Sequence, residues 1–547
     1  MNQESPASAM TSKRHLVYGA AYVVCTFFSF PQLLPFAGSA IDVGWAIAPF
    51  TVVFLLASLN ARSIAGSSMR QSFVWGFLVS LVAHYALFHW FYVVTVDYGH
   101  APVVVGLLAP LLPSVFVSVF TALFCVGWQR LRRTGGATPV AAAFLWTAID
   151  YIRGMALGGF PWGSLGYAGH DTFFLLPWVR FTGVYGLTFI FVLAGAGLAQ
   201  LYETVRLGRQ PGRSTFIAFG ITLLIVFGGV LLGQLGAPVP SDTTVRIAAL
   251  QGNIDQNEKW SPARVGANLG TYLQLSQRAI DAGADVVVWP ESAVPGFIDL
   301  DPEIREPIRA LVRGGNATFV LGAVAATLDL DTGEPEAFYD SAYLMDSEGT
   351  LTDRYDKTHL VPFGEFLPFR WLFGGIVEAV ARGIATIDVS PGEFPRAMSI
   401  ARIGAEEDVR VGVPICYELL FPDLVRRMSV DGARVLFAIT NDAWYGRTGA
   451  PYQFLAMTAV RAAENGLPVV RAANSGVSAV IDSRGKVVHQ SEIYVQDVVV
   501  GDISLSPADA PPTFYAKNGD IFAWLCWAFV LVIAFVPRFR AEPTRAA

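Results

Sequence analysis

The sequence contains one cysteine whose surroundings suit a nucleophile. Of its four cysteines, only Cys416 lies outside the long apolar runs, so no neighbour can pair with it in a disulfide within its own region. It ends the strand-like run VRVGVPIC and precedes Tyr417 and Glu418, a position where an α/β sheet commonly presents reactive groups. An unpaired cysteine of this kind indicates either a reactive thiol or a small core residue, and both alternatives stay open.

Two upstream segments carry charged side chains directly after apolar runs. Glu291 lies near the end of VVVWPES, and Lys357 and Glu365 lie in DKTHLVPFGE. Taken singly, each has an ordinary explanation, as a cap, a solvated loop charge or a surface acid. Together with Cys416 they supply a base, a cation and a nucleophile, which are the groups that acyl transfer through a thioester requires.

Composition indicates that these residues belong to a membrane protein. Of 547 residues, 53% are hydrophobic and 15% are charged, whereas soluble proteins have roughly 25% charged residues. This excludes a disordered or a nucleic-acid-binding protein. Residues 241–520 hold 23 basic and 37 acidic side chains, and the rest of the chain holds 15 and 7. The sequence therefore predicts a basic membrane part that carries an acidic, water-soluble domain.

Eight apolar runs predict about eight membrane-spanning helices. The runs cover 16–36, 41–59, 73–95, 103–128, 139–152, 173–201, 216–236 and 521–537. About seven helices would form a transmembrane domain over 16–236, and 521–537 would be the last span. Pro31 and Pro35 predict that the first helix ends or kinks near them.

The basic residues of the loops orient these spans. Thirteen lysines and arginines lie in the tails and loops on the N-terminal side, and the opposite short loops contain only Arg153. By the positive-inside rule, residues 1–15 and 538–547 are cytoplasmic tails, and residues 237–520 lie outside the cytoplasm. The first run also resembles a signal peptide, and a retained anchor or a cleaved leader would give the same later topology.

Residues 241–520 alternate between strand-like and helix-like patterns. Short β-branched or apolar runs predict strands at 244–250, 285–290, 318–324, 409–416, 434–440 and 478–482. Helical patterns lie between them at 262–282, 303–314 and 452–465. This alternation predicts an α/β domain with a buried sheet.

The charged segments, taken together, resemble a known superfamily. WPES, the Lys357 segment and CYE, in that order, are similar to the Glu-Lys-Cys set of the nitrilase, or carbon–nitrogen hydrolase, superfamily. Such a domain between the seventh and eighth spans resembles the bacterial apolipoprotein N-acyltransferase family. The likeness includes TNDAWYG, PYQFLAM, RAAENG, RAANSGVSAVID and FYAKNGD, and it covers essentially the whole chain.

The resemblance implies a fold and roles for particular residues. The external domain would be an α-β-β-α sandwich inserted into a bundle of about eight transmembrane helices. Glu291 would be the general base, Lys357 the lysine that stabilises the oxyanion, and Cys416 the nucleophile. Further positions near the site would be Glu365, Tyr417, Glu418 and Trp260, the last resting only on QNEKW.

The resemblance also implies substrates and a location. A phospholipid would donate its acyl chain, and the diacylglyceryl-modified N-terminal cysteine of an apolipoprotein would accept it on its α-amino group. The protein would lie in the bacterial inner membrane with its catalytic domain on the periplasmic side. No cofactor is required, and the external domain offers only His359 and His489 as histidine ligands, so we expect no metal.

Two further features suggest where lipid reaches the site. Segment 363–387 is rich in large apolar side chains, among them Phe366, Leu367 and Trp371, and it predicts an arm that touches the membrane. An ordinary amphipathic helix packed on the domain is the alternative. Arg180 lies inside the sixth apolar run, where either contact with a lipid phosphate or snorkelling to the interface would explain it.

Two other functions fit parts of the sequence. A membrane-anchored amidase or nitrilase would use the same Glu-Lys-Cys set, but it leaves the spans and the apolar arm without a purpose. A scaffold or a transporter would not need an intact Glu-Lys-Cys set, and the apolar runs lack the paired charges expected of an ion pathway. Acyl transfer is therefore the favoured prediction.

Overall fold

The computed structural model describes residues 6–62, 68–235, 243–329, 331–366, 388–403 and 406–535. The part before residue 236 is helical, and the part from 244 to 504 is built on two β-sheets. A final helix returns to the helical part, where Phe529 stacks on Phe144 with ring centroids 3.9 Å apart. The sheet domain therefore interrupts a helical bundle, in the order that the sequence predicts.

The helices of the first part follow the apolar runs of the sequence. They are α1 (Pro6–Phe28), α2 (Gly44–Arg62), α3 (Met69–Leu87), α4 (Phe91–Val93, continued by a π-helical turn Val94–Tyr98), α5 (Val103–Leu108), α6 (Leu111–Arg133), α7 (Pro139–Arg153), α8 (Val179–Thr182), α9 (Val184–Arg206) and α10 (Arg213–Leu235). α1 ends three residues before Pro31, because proline cannot continue a helix. α7 begins at Pro139, where the Thr138 hydroxyl accepts a hydrogen bond from the Ala141 N–H and caps it.

Fewer helices than predicted are long and apolar enough to cross a membrane. In the described part of the chain four stretches qualify: Gly44–Ala61, Val103–Arg133, Val184–Arg206 and Arg213–Leu235. A fifth counts if Met69–Leu87 and Phe91–Tyr98, which meet at 64°, form one broken span. Ile521–Ile533 is apolar but shorter. The count of about eight spans is therefore not confirmed and stays a prediction.

The sixth apolar run, 173–201, is not one helix. Gly183 has a φ of 63°, a conformation that glycine adopts without steric cost, and it separates α8 from α9. The sequence placed Arg180 inside a long apolar run. In the structure it lies in the short helix α8. Its surroundings are described with the site below.

The end of α7 carries a buried pair of opposite charges that the sequence analysis did not identify. Asp150 and Arg153 form an ion pair at 2.7 Å, and both side chains are buried. Arg153 also donates to the carbonyl oxygens of Phe160 and Trp162, at 2.9 and 2.7 Å. The pair fastens the loop that follows α7, so its geometry indicates a structural clamp and not an ion pathway.

Twelve strands form two six-stranded sheets in the described residues. They are β1 (Thr244–Gln251), β2 (Val286–Val288), β3 (Thr318–Leu328), β4 (Pro335–Met345), β5 (Leu351–Asp356), β6 (Ala397–Ile403), β7 (Glu406–Gly412), β8 (Val435–Thr440), β9 (Val469–Ala473), β10 (Ala479–Ile481), β11 (Val487–Gln490) and β12 (Asp497–Ser504). The first sheet has the order β12-β1-β2-β3-β4-β5, and the second has the order β11-β10-β9-β8-β7-β6. The helices are α11 (Val265–Asp281), α12 (Pro302–Gly315), α13 (Pro422–Val430), α14 (Ala450–Asn465), α15 (Phe514–Asn518) and α16 (Ile521–Phe535).

The central strands are buried on both faces, as in sheets covered by helices. Along β1, Ala248 and Leu250 belong to the core formed with α11 and α12. The alternating residues Ile247 and Ala249 belong to the other core, which includes the second sheet and α14. The layers are thus helix, sheet, sheet and helix, and the predicted α-β-β-α sandwich is confirmed.

Candidate active site

Lys357 lies at the centre of a buried cluster of charged side chains. It follows β5 directly, and its Nζ donates to Glu291 Oε1 at 3.0 Å and to Glu365 Oε1 at 2.5 Å. A third carboxylate oxygen, Asp340 Oδ2, lies 3.5 Å from the same nitrogen. The lysine side chain is fully buried. The structure thus brings together the three charged residues upstream of Cys416 that the sequence singled out, and it adds Asp340.

Strand pairing brings these groups to one edge of the first sheet. Glu291 follows the carboxyl end of β2. β4 and β5 pair antiparallel with Ser341 opposite Asp356, and the Lys357 N–H donates to the Asp340 carbonyl oxygen at 2.8 Å. This register places Asp340 next to Lys357, although they are far apart in the chain.

The three carboxylates are close enough to hold a cation. One oxygen each from Glu291, Asp340 and Glu365 lies within 4.8 Å of the others. The Lys357 ammonium group lies within 3.5 Å of all three, so it neutralises the charge that a metal ion would meet. These residues are better explained as a lysine-centred ion cluster than as a metal centre.

The cluster sets the protonation states of its members. Burial would raise the pKa of Glu291, but the Lys357 ammonium outweighs burial and lowers this pKa to about 2. Burial and the neighbouring Glu291 charge raise the pKa of Asp340 well above its usual range. Burial would lower the pKa of Lys357, but Glu291 and Glu365 hold it well above its ordinary value. Glu291 and Lys357 are therefore ionised, and Asp340 holds a proton most strongly of the three carboxyl groups.

The sequence predicted that Cys416 ends a strand. In the structure it begins a tight turn instead. β7 ends at Gly412, and the chain stays extended as far as Ile415, which pairs with Ile439 of β8. Cys416 then begins a 3₁₀ turn that runs to Leu420, named here the cysteine turn. The φ of Cys416 is 47°, and a non-glycine residue adopts such a conformation only where the surrounding structure imposes it.

The cysteine thiol is protonated in the resting protein. Burial, together with the charge of Glu291, raises the pKa of Cys416 well above its usual range, although Lys357 acts in the opposite direction. The two charged groups thus lie near enough to influence the sulfur. Because the thiolate is the nucleophilic form, this thiol needs a base before it can attack.

Glu418 fastens the cysteine turn to the segment that carries Lys357. One of its oxygens accepts from the Ile415 N–H at 2.8 Å. The other accepts from the Thr358 N–H at 2.7 Å and from the Tyr355 hydroxyl at 2.8 Å. The resemblance implied only that this acid lies near the site. The structure shows that it holds the backbone on either side of the site.

Tyr417 connects the cysteine turn to the helical part. Its hydroxyl donates to the Gly159 carbonyl oxygen at 3.4 Å, and its ring lies 5.7 Å from His359 and 5.1 Å from Phe421, between centroids. Gly159 has a φ of 77°, and a Cβ there would lie 2.1 Å from the Gly154 carbonyl oxygen. Only glycine fits here, because the loop after α7 folds back closely on the end of that helix.

Trp260 lies at the exposed rim of the site, and its neighbour Lys259 lies inside. The Trp260 side chain is 48% exposed, whereas Lys259 is only 5% exposed. Lys259 Nζ donates to the main-chain oxygen of Glu291 at 3.0 Å and lies 5.9 Å from the Trp260 ring centroid. Sequence reasoning found the tryptophan and missed the lysine, because a single lysine in QNEKW reads as a solvated charge.

Two residues of TNDAWYG also border the site. The Asn441 N–H donates to Glu291 Oε2 at 2.7 Å, so each carboxylate oxygen of Glu291 has a donor. The Tyr445 ring packs edge-on against Trp90 and Trp162 of the helical part, with centroids 4.9 and 5.6 Å apart. The segment was noted in the sequence for its likeness alone, and no role had been assigned to these residues.

The residues predicted to admit lipid are only partly described. Phe366 is half-buried and its backbone pairs with Pro362. Leu367 and Trp371 lie outside the described residues, as does the rest of the predicted arm. The Arg180 guanidinium lies against Gly466 at the end of α14, so it borders the sheet domain and is not part of the Lys357 cluster.

Comparison with known proteins identifies the class of the sheet domain and then the family of the whole chain. The family model described as carbon-nitrogen hydrolase matches residues 246–510, which span both sheets and the Lys357 cluster. The model described as apolipoprotein N-acyltransferase N-terminal domain matches residues 24–197 of the helical part. The chain belongs to the apolipoprotein N-acyltransferase family.

Individual relatives agree over most of the chain. The apolipoprotein N-acyltransferase of Geobacter metallireducens is 35% identical over 85% of this chain and 87% of its own. That of Bradyrhizobium diazoefficiens is 33% identical over 77% of each chain, and that of Vibrio vulnificus is 28% identical over 89% of this chain and 92% of its own. Among solved structures, an amidase from Nesterenkonia sp. is 20% identical, with a TM-score of 0.36, over 52% of this chain and 96% of its own.

Proposed function

We propose that this protein transfers an acyl chain from a membrane phospholipid to the α-amino group of the diacylglyceryl-modified N-terminal cysteine of apolipoproteins. One observation carries the proposal: the buried Lys357 cluster acts electrostatically on Cys416, whose strained turn lies against the helical part. The site is thus a buried nucleophile with a base and a cation, at a junction with apolar helices. This arrangement suits an acyl donor that arrives from a membrane.

In the first half-reaction, Glu291 accepts the thiol proton as Cys416 attacks the phospholipid ester carbonyl. A carbon–sulfur bond forms, and the carbon–oxygen bond to the glycerol breaks. Glu291 then returns the proton to the departing glycerol oxygen, so the products are a thioester and a lysophospholipid. The resting ionisation states are those that a general base requires, because Glu291 is ionised while the thiol carries its proton. A carboxylate whose pKa is lowered to about 2 does not retain that proton, so its transfer accompanies the attack and passes directly to the departing oxygen.

Lys357 stabilises the negative oxygen that develops during this attack. Its ammonium group is fully buried and held in place by Glu291 and Glu365, so little reorganisation is needed when the oxyanion forms. A backbone N–H assists it. Glu365 thereby acts as a positioning residue for the lysine, and Glu418 as one for the backbone next to it.

In the second half-reaction, the acceptor amine attacks the thioester. A carbon–nitrogen bond forms, the carbon–sulfur bond breaks, and a proton from the nitrogen passes through Glu291 to the sulfur. The free thiol is restored, and the product is an amide. Because the acyl chain rests on Cys416 between the two steps, donor and acceptor need not be bound together, and ping-pong kinetics follow.

An amidase or nitrilase remains the alternative, because its chemistry would use the same Glu291, Lys357 and Cys416. The match of the helical part, residues 24–197, to an N-acyltransferase domain favours acyl transfer over hydrolysis. Release of a free fatty acid or of ammonia, without an acylated amine, would favour the alternative.

Intact-mass analysis tests the proposal on the purified full chain. Incubation with phospholipid alone should add one acyl mass, and neutral hydroxylamine should remove it, because it cleaves thioesters. A diacylated lipopeptide with a free N-terminal amine should then discharge the acyl group and gain the same mass. Failure of the wild-type protein to acquire acyl mass from any phospholipid would contradict the mechanism.

We also propose that the external domain faces the periplasm. The thirteen basic residues on the N-terminal side of the predicted spans, against one on the other side, motivate this orientation. A reporter that is active only outside the cytoplasm should be active when fused near Ser241 and silent when fused after Arg540. The reverse pattern would require the opposite orientation.

The predicted arm supplies a third test. Replacing Phe366, Leu367 and Trp371 by serine should slow acylation by phospholipid while leaving the amount of folded protein unchanged, because these side chains would serve lipid access and not packing. Leu300→Ser, which changes an exposed leucine of the same domain, is the matched control. Equal acylation rates in the triple variant and the control would argue against the arm.

A further inference from the structure

Lys259 is a second buried lysine in the site, and the proposed mechanism does not use it. It lies in the loop between β1 and α11, where Asn268 Nδ2 donates to its main-chain oxygen at 3.2 Å. Its own Nζ donates to the Glu291 carbonyl oxygen at 3.0 Å. The half-exposed Trp260 follows it in the chain, so Lys259 lies between the rim of the site and Glu291.

The two lysines of the site have different surroundings. The hydrogen bonds of Lys357 Nζ go to carboxylates, whereas the hydrogen bond that the structure gives Lys259 Nζ goes to a neutral carbonyl oxygen. Burial lowers the pKa of Lys259 to about 8, although Glu291, Asp340 and Cys416 act in the opposite direction. Those three groups are the titratable side chains that act on it. Lys259 can therefore lose its proton near neutral pH, while Lys357 cannot.

Proton balance in the amine step requires an acceptor besides Glu291. An α-amino group has a pKa of about 7.7–8.0, so it reaches the site mostly as an ammonium ion at neutral pH. Its nitrogen must lose two protons to become an amide nitrogen with one hydrogen. Glu291 can pass one of them to the departing sulfur. The other has to leave the site, and a carboxylate held ionised by Lys357 is a weak acceptor for it.

We infer that Lys259 accepts the first of these protons from the incoming ammonium group and releases it to solvent past Trp260. The inference rests on the proposed acyl transfer and adds a catalytic residue specific to its second half. Neutral Lys259 takes a proton from the ammonium, and the neutral amine then attacks the thioester. General bases are most effective when their proton affinity is close to that of the group they deprotonate, and two amines meet that condition.

The test compares wild-type, Lys259→Met and Lys259→Arg proteins that have first been acylated with phospholipid. A diacylated lipopeptide is then added at several pH values, and loss of the acyl mass is followed by rapid quenching. At pH 7 we expect both variants to discharge up to about tenfold more slowly than wild type, because roughly nine tenths of an amine with a pKa near 8 carries its extra proton at that pH. Arginine keeps the charge but does not deprotonate, so it should not rescue the reaction.

Two controls separate a base from a structural role. Raising the pH above the pKa of the acceptor amine should bring the variants to the wild-type rate, because the amine then arrives without its extra proton. Hydroxylamine, which is mostly unprotonated at neutral pH, should discharge all three acyl-enzymes at equal rates. A deficit that persists at every pH, or that also appears with hydroxylamine, would overturn the inference.

Other outcomes are equally decisive. Normal discharge by Lys259→Arg would show that charge, and not proton transfer, is what the position supplies. Failure of both variants to acquire acyl mass would place Lys259 in the first step or in folding, against the inference. Absence of acyl mass on the wild-type protein would instead contradict the proposed function itself, so the two failures can be told apart.

Discussion

Cys416→Ala is expected to acquire no acyl mass from phospholipid and to transfer no acyl chain to a lipopeptide. The sulfur of this residue is the only protein atom in the proposed mechanism that bonds to the acyl carbon. Loss of the nucleophile in a covalent mechanism costs on the order of 10⁶ in rate, as in a serine protease. Intact-mass spectra taken after incubation with phospholipid, with and without lipopeptide, measure both effects.

Two further cysteine variants sharpen this test. Cys416→Ser keeps nearly the same volume but offers a weaker nucleophile, so it should acquire acyl mass far more slowly than wild type. Cys25→Ala removes a thiol in α1 that the proposed mechanism does not use, and it should behave as wild type. Acyl transfer by Cys416→Ala at a normal rate would show that the thioester mechanism is wrong, however good the family match.

Most of the strands that the sequence predicted are largely buried, although the partly exposed β7 was also predicted and the fully buried β9 was missed. β1 and β8 read as continuous apolar runs, and the structure places both inside their sheets. β4 and β6 were missed because their burial is partial: β4 begins with exposed residues, and β6 alternates between buried and exposed positions. Hydrophobic runs therefore indicate buried strands but do not find all of them.

The same reasoning explains which site residues could be predicted. Glu291, Lys357 and Glu365 lie in longer segments with a recognisable order, so each supports the interpretation of the others. The sequence gives less indication that Asp340 belongs to the site, because it is an acid within a strand whose following residues are all buried. Its role depends on the register of β4 against β5, which the sequence of neither strand specifies alone.

The strain at Cys416 and the position of Arg180 also needed the structure. A run of apolar residues predicts that the strand continues to Cys416, but the backbone turns there with a φ of 47°. Likewise, hydropathy treats 173–201 as one run, and only the backbone at Gly183 shows that the helix begins afterwards. Single-residue changes in backbone conformation leave little trace in a hydrophobic pattern.

Lys357→Met is expected to slow acylation of Cys416 by about 10²–10³, the usual cost of losing one oxyanion donor. The substitution should also alter the base. Lys357 is the largest influence that lowers the pKa of Glu291, so this pKa rises when the ammonium is removed. Acylation by the variant should then increase with pH through the raised value. In the wild-type protein Glu291 stays ionised down to about pH 2 and imposes no such dependence.

A stability effect will accompany the catalytic one and has to be separated from it. Removing one partner from a buried ion cluster typically costs about 3–5 kcal/mol, because the remaining charges lose their compensation. Lys357→Met should therefore lower the thermal midpoint. Combining it with Glu365→Gln removes a carboxylate that Lys357 binds at 2.5 Å, at almost constant shape, and the double variant should regain part of that midpoint.

The double variant decides between the two explanations of lost activity. If Lys357 serves only to hold the fold, recovery of the thermal midpoint in Lys357→Met with Glu365→Gln should bring acylation back in parallel. If Lys357 stabilises the oxyanion and keeps Glu291 ionised, acylation should stay slow although the midpoint recovers. We expect the second result, because the neutral amide introduced by Glu365→Gln supplies no positive charge for the developing oxygen and none to lower the pKa of Glu291. Parallel recovery of both quantities would remove Lys357 from the chemistry and leave it a structural ion.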